Sequence, residues 1–289
     1  HLIAAKDARP QDILALTFTE KAAREMEERV DQLVPYGYVD TMISTFHAFG
    51  DRVLREHGVF VGLEPTFQVL TKWQVLVFLQ EHLFELPFER LRPAGNPLHY
   101  LDAVVSLLTR AKDEDITPAE YAAYAQQLEV LARQTPDDQA LYEEALQQAE
   151  LARVYQAIQD LMRRHNRVDF GDQIALTLQL FRTHPHVLAQ YREQFRHILV
   201  DEFQDTNYAQ FELVKLLAPA DSHLTIVADD DQSIYKFRGA AISNIVNFFD
   251  AYPQAQEAVL TRNYRSTQPV LDASYRLIRF NDPHRLEVQ

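Results

Sequence analysis

At 289 residues, 47% of them hydrophobic and 17 of them Phe, the chain can bury a sizeable core and is long enough for two domains. The absence of cysteine excludes a disulfide scaffold and any Cys-based zinc site, and no apolar run reaches the roughly 18 residues of a membrane span. A net charge of −14 argues against a uniformly basic nucleic-acid surface, although the acids crowd into 113–150 and a local groove elsewhere can oppose the average. No signal peptide is evident, so a soluble, cytoplasmic protein is expected. A first residue of His1 in place of Met leads us to expect numbering that starts inside a longer protein.

Residues 12–17 read as a short buried strand running into a helix from Thr19 to Val34, with Thr19 as its N-cap. A second strand, Met42 to Thr45, leads into a helix from Phe46 to Glu56. Two strand-to-helix units this close together predict a parallel sheet covered by helices. From 66 to 165 strand signals vanish, and helical patterns occupy 71–85, 98–112, 118–132 and 137–165. Pro93, Gly95, Pro97, Pro118 and Pro136 punctuate them, which predicts a helical insertion in an α/β domain. Sheet signals return at 197–203, 224–228 and 258–260; a helix is expected from Tyr208 to Ala218, and another from Ser266 to Phe280 with Ser266 as its cap.

Four segments carry candidate chemistry. The apolar run Ile198 to Val200 ends in Asp201 and Glu202. Burying such charge without a partner is costly, and a divalent cation bearing a nucleotide's phosphates is the usual compensation at the carboxyl edge of a parallel strand. The pair reads as a Walker B element or as a solvated turn with Asp as a cap. After the next strand come Asp229, Asp230, Asp231 and Gln232, where the amide can report a γ-phosphate or orient water. Tyr235 and Phe237, interleaved with Lys236 and Arg238, suit base stacking with phosphate neutralisation, or else belong to the core. Third, Thr261 to Ser266 places Arg262, Tyr264 and Arg265 before a helix, as phosphate and base contacts or as an ordinary capped turn. Fourth, Thr17, Phe18 and Thr19, and likewise Thr45, Phe46 and His47, set hydroxyls and an aromatic where a strand becomes a helix. They suit a nucleic-acid backbone, or serve as caps and core. No metal-spaced His accompanies His47. A Mg2+-dependent nuclease built on Asp201, Glu202 and Asp229 to Asp231 would lack an evident nucleophile or second ligand cluster.

In this order, ALTFTEKAAREMEERV, STFHAF, VDFGDQIALTLQLF, HILVDEFQDTN, IVADDDQSIYKFRGA and LTRNYRS resemble the superfamily one DNA helicases of the UvrD/Rep/PcrA type. The DDQSIY form is closer to the UvrD branch than to the RecB or AddA branch, where DPKQAIY is typical. The resemblance implies an α/β fold of the P-loop NTPase class: a RecA-like parallel sheet with flanking helices plus an inserted all-helical subdomain. It implies domain 1A at 1–65 and 166–255, helical subdomain 1B at 66–165, and the start of domain 2A at 256–289. It also implies an ATP-dependent 3'-5' helicase or translocase acting on single-stranded DNA and ss/ds DNA junctions. ATP and Mg2+ are the implied cofactors, repair or replication proteins the implied partners, and no membrane is involved. In that scheme Asp201 and Glu202 face Mg2+, and Glu202 also acts as base on, or orients, the hydrolytic water. Gln232 senses the γ-phosphate, Tyr264 stacks on adenine and Arg265 contacts the γ-phosphate. Thr17, Phe18, Thr19, His47, Tyr235, Phe237 and Arg238 line the single-strand track.

The chain also departs from the pattern. Glu20 stands where the family's TFTNKAA motif has Asn, and Ala228 where Gly is common. No G-x-x-x-x-G-K-[ST] loop is present, because none of Lys6, Lys21, Lys72, Lys112, Lys215 and Lys236 follows a Gly. The family places that loop just before the segment that begins here. The polypeptide as given is therefore expected to hydrolyse ATP poorly or not at all, the alternative being a degenerate ATPase fold kept as a DNA or protein platform.

Overall fold

The computed structural model describes residues 2–5, 7–34, 41–91, 97–232 and 242–281. In chain order the elements are β1 (Ile13–Thr17), α1 (Glu20–Leu33), β2 (Met42–Thr45), α2 (Phe46–His57), β3 (Gln68–Leu70), α3 (Lys72–Glu81), α4 (Pro97–Asp113), α5 (Pro118–Gln134) and α6 (Gln139–Arg164). They continue with β4 (Arg167–Asp169), α7 (Phe170–Thr183), α8 (Pro185–Gln194), β5 (His197–Val200), α9 (Tyr208–Leu217), β6 (His223–Ile226), α10 (Ile242–Ala251) and α11 (Gln268–Ile278). The chain divides into two compact units, 1–43 with 195–207 and 218–289, and 44–194 with 208–217.

The first unit is built on a sheet of order β2-β1-β5-β6. β1 and β5 run parallel with Ile13 beside His197 and Leu16 beside Val200, and β5 and β6 run parallel with Val200 beside Ile226. All five positions of β1 are buried, as the unbroken apolar run of a parallel strand covered on both faces requires. Thr19 caps α1 by accepting from the Ala22 N–H at 3.1 Å. Met26 and Val30, one turn apart on that helix, then pack with Ala23 against Ala15, Ile43 and Leu199.

Three sequence expectations fail in this unit. β5 stops at Val200, not at 203, because Glu202 leaves the extended region. Residues 258–260 form no strand: Val259 is 73% and Leu260 89% exposed, so the apolar run finds no sheet to join. Ser266 does not cap the last helix. Thr267 holds the cap position without a side-chain bond, and the Asn263 side-chain carbonyl instead accepts the N–H groups of Arg265 and Ser266 at 2.9 and 2.8 Å.

The second unit carries the helical insertion. β3 and β4 pair in parallel, with Gln68 beside Arg167 and Leu70 beside Asp169. Everything described between them is helix or turn, and α3, α4, α5 and α6 share one core that includes Leu76, Leu79, Leu101, Val154 and Leu161. Thr117 and Glu120 form a reciprocal capping box at the start of α5. β3 corrects the expectation that strand signals vanish across 66–165, and its partner β4 lies just beyond that span: each has three residues, too few to show a period. Among the described residues, no helix is long and apolar enough to cross a membrane.

Candidate functional site

In the first unit the end of β5 is held from both sides. The Asp201 N–H donates to the Leu16 carbonyl at 2.9 Å, Val227 N–H to Val200 at 2.8 Å and Phe203 N–H to Val227 at 2.9 Å. Between these anchors Glu202 adopts φ 51°, ψ 45°, the left-handed region that costs a non-glycine residue on the order of 1–2 kcal/mol. Phe203 is fully buried against Phe248 of α10, their rings 5.7 Å apart, so the strained turn is locked by packing below it. Asp201 and Glu202 thus stand together at the carboxyl edge of the sheet.

Burial pushes the Asp201 carboxyl above its ordinary range, and the neighbouring Glu202 charge pushes it further, with Arg29 opposing. A half-buried acid beside a second acid is an environment that a cation relieves. Among the described residues no group of three or more His, Asp or Glu is placed to hold a metal by itself. One or two carboxylates are nevertheless what Mg2+ takes from a protein when phosphates complete its shell, so the pair fits a nucleotide-borne Mg2+ and not a protein-caged ion.

The loop after β6 is wired to this pair. Gln204 Nε2 donates to Glu202 Oε2 at 2.5 Å, and Gln204 Oε1 accepts from the Asp229 N–H at 3.0 Å. The Asp229 carboxylate in turn accepts from the Asp231 N–H at 3.1 Å and from Gln232 Nε2 at 2.5 Å. Of the residues singled out from sequence, Glu202 and Gln232 are therefore joined in one hydrogen-bonded array, and Asp201 stands beside it. Thr17 ends β1 one residue past Leu16; it is fully buried, and its hydroxyl has no partner among the described residues. Phe18 is half-buried and Thr19 exposed beside it. Tyr264 is 85% exposed, with the Arg262 guanidinium 5.5 Å above its ring, and Arg265 is exposed next to it. No bond joins these two to the acidic pair among the described residues. Tyr235, Phe237 and Arg238 lie outside the described residues.

The second unit places His47 in the first turn of α2, where Thr45 caps by accepting from Ala48 N–H at 3.1 Å and Phe46 is core. His47 is half-buried and meets Phe170 edge-on, with centroids 5.8 Å apart. Phe170 opens α7 and is 49% exposed, an apolar ring presented to solvent. Sequence reasoning passed over it, although Val168-Asp169-Phe170 repeats the strand-to-helix aromatic pattern of Thr17-Phe18-Thr19 and Thr45-Phe46-His47. It also passed over Gln204, whose partners are set by the fold.

A parallel sheet with an acidic pair at the carboxyl edge of one strand, a Gln-bearing loop after the next, and a helical insertion between two short paired strands defines a RecA-like α/β protein. The family model for the UvrD/REP helicase N-terminal domain matches residues 1–253, and the chain belongs to this family. It is 38% identical to the ATP-dependent DNA helicase PcrA of Leuconostoc citreum over 283 residues, 98% of this chain and 35% of that protein. It is 37% identical to PcrA of Staphylococcus aureus strain Mu50 and 34% identical to PcrA of Staphylococcus epidermidis, covering 99% of this chain and 36% of each relative. The chain thus spans about a third of the length of the curated relatives it matches.

Proposed function

We propose that the chain forms the N-terminal ATP-handling and single-strand-handling portion of a 3'-5' DNA helicase or translocase; its PcrA relatives are named ATP-dependent DNA helicases. The observation that supports this reading most is the array joining Glu202, Gln204, Asp229 and Gln232 at the carboxyl edge of the parallel sheet, beside Asp201. In the proposed division of labour Asp201, with Glu202, holds the Mg2+ that neutralises charge on ATP. Glu202 accepts the proton of the attacking water. Gln232 offers a neutral hydrogen bond to the γ-phosphate, and Arg265 adds a positive charge there. Tyr264, exposed and flat, offers a ring for the adenine.

The single-strand track is proposed along Thr17, Phe18 and Thr19, with His47 and Phe170, and with Tyr235, Phe237 and Arg238. Aromatic faces stack on bases without regard to sequence, which suits a motor that must pass every base. We assign 1–65 and 166–255 to domain 1A, 66–165 to subdomain 1B, and 256–289 to the start of domain 2A. Single-stranded DNA and ss/ds junctions are the proposed substrates, with repair or replication proteins as partners in the cytoplasm.

These residues hold no G-x-x-x-x-G-K-[ST] loop, and that loop supplies the main cradle for the β- and γ-phosphates. A polypeptide of these residues alone is therefore expected to bind oligo-dT without measurable ATP turnover; robust turnover would overturn this reading of its nucleotide site. The same observation supports a second reading, an ATPase fold kept as a DNA or protein platform. Steady-state ATP hydrolysis by the full-length protein with oligo-dT separates the two. The motor reading expects DNA-stimulated turnover that Glu202→Gln lowers at least ~100-fold while ATP binding persists. A full-length protein with no turnover under any DNA condition leaves the platform.

A further inference from the structure

Gln204 has no role in the reading above, yet it is the side chain on which the site's two segments converge. We infer that Gln204 is a positioning residue that fixes the Glu202 carboxylate and ties it to the Asp229–Gln232 loop, so that movement of either is felt by the other. The inference rests on the roles proposed for Glu202 and Gln232.

The geometry is specific to glutamine. Gln204 is 1% exposed and spends both ends of its amide on the site: Nε2 on Glu202 Oε2 at 2.5 Å, Oε1 on the Asp229 N–H at 3.0 Å. A backbone N–H can only donate and a carboxylate can only accept, so the orientation of the amide is dictated by its partners. Glutamate would keep the acceptor toward Asp229 and lose the donor toward Glu202. Methionine would lose both, and asparagine is one methylene short of the span. Glu202 sits in the left-handed region just past the end of the strand, and Gln204 holds its carboxylate from the side.

The array does not stop at Asp229. Its carbonyl accepts from the Gln232 N–H at 3.2 Å and its carboxylate from Gln232 Nε2 at 2.5 Å. Between the proposed base and the proposed phosphate sensor stand just two side chains, Gln204 and Asp229. The backbone beneath is held independently, by the Phe203 N–H on Val227 and by Phe203 packed on Phe248, so changing Gln204 leaves the turn its main supports.

The test uses the full-length protein with Gln204→Met and Gln204→Glu, and reads three quantities. Amide hydrogen exchange over residues 224–232 should speed up at least tenfold in Gln204→Met and stay near wild type in Gln204→Glu, because that variant still accepts from Asp229. Single-turnover ATP cleavage with oligo-dT should fall at least tenfold in both variants, while affinity for a non-hydrolysable ATP analogue stays within about twofold. The thermal midpoint separates positioning from general loosening. The tether is overturned if the two variants exchange alike, and the catalytic half is overturned if cleavage falls only as far as the folded fraction does. Glu202→Gln serves as reference: wild-type cleavage by that variant would remove the reading of Glu202, and with it the catalytic half, while the exchange result still decides the tether.

Discussion

Lys112 lies 2.7 Å from Asp172 with 3% of either side chain exposed, so an ion pair sits inside the second unit. Asp169 makes a second contact of 2.7 Å to the same ammonium. The two carboxylates belong to the capping box that starts α7, in which each accepts the other's backbone N–H, while Lys112 comes from the last turn of α4. Burial by itself raises the Asp169 carboxyl, but Lys112 beside it, together with the hydrogen bonds from Asp172, holds it below the ordinary range. Asp172 is left raised, by burial and by the Asp169 charge. The cluster fastens the helical insertion to the helix that carries Phe170.

Lys112→Met should accordingly destabilise the fold by roughly 3–5 kcal/mol, because it leaves one buried and one half-buried carboxylate without their cation. Adding Asp169→Asn and Asp172→Asn should recover a large part of that loss. The exposed pair Arg133 and Glu129, 3.4 Å apart on α5, is the contrast: Arg133→Ala should cost less than about 0.5 kcal/mol. Urea unfolding of the three variants checks the ranking, and a Lys112→Met cost near that of Arg133→Ala would sink it.

Gly50 is expected to resist any side chain. A Cβ there would lie 2.7 Å from the Gln173 carbonyl oxygen and 3.3 Å from Thr177 Oγ1, so α2 and α7 approach at a point with no room for a methyl group. Gly50→Ala gains up to about 1 kcal/mol of helix propensity, but forcing the helices apart costs about 1–3 kcal/mol. The net expectation is a lower thermal midpoint, read by circular dichroism; a raised midpoint would show that the helices part freely.

The exposed ring of Phe170 should matter to DNA and not to folding. Stacking on one base is worth about 1–3 kcal/mol, so Phe170→Ala should weaken oligo-dT binding roughly 5- to 150-fold, with His47→Ala weaker in effect because that ring is half-buried. Phe84, fully exposed after α3, is the control, and Phe84→Ala should leave affinity unchanged. Fluorescence anisotropy with labelled oligo-dT decides: equal effects at Phe170 and Phe84 would remove Phe170 from the track.

What the sequence makes legible here depends on how local the cause is. β1 reads correctly because every one of its five positions is buried, which writes an unbroken apolar run, and Thr19 reads correctly as a cap because its partner is three residues away. β3 and β4 are invisible because each is three residues long and exists through pairing with the other, far along the chain. The run 258–260 carries the right residue types and still forms no strand, since a strand needs an edge to join. At the site, Asp201, Glu202 and Gln232 are legible because charge and amide are out of place next to buried strands. Gln204 is not, since its value lies in a partner 25 residues on, and Phe170 is not, since a sequence does not print exposure.

The stacked pair His197 and His223 gives a pH prediction whose sign can be worked out. The residues are registered neighbours on β5 and β6, their rings 5.0 Å apart and within 20° of parallel. Burial lowers the His197 pKa first, and the His223 charge lowers it further; Arg196 acts in the same direction, and Asp12 and Asp7 oppose. The folded state therefore takes up this proton less readily than the unfolded chain, where the ring titrates near its ordinary value of about 6.5. Stability from the neutral ring is complete above that value and is lost as pH falls through it toward the lower folded value. The urea midpoint should drop between about pH 7.5 and about pH 5.5, and His197→Asn should flatten that part of the profile. His223→Asn should flatten it less, because it removes the second cause and leaves burial, the larger one. A wild-type profile as flat as that of His197→Asn would mean that the strand edge tolerates the charge and that the ring stack contributes nothing to the pH dependence.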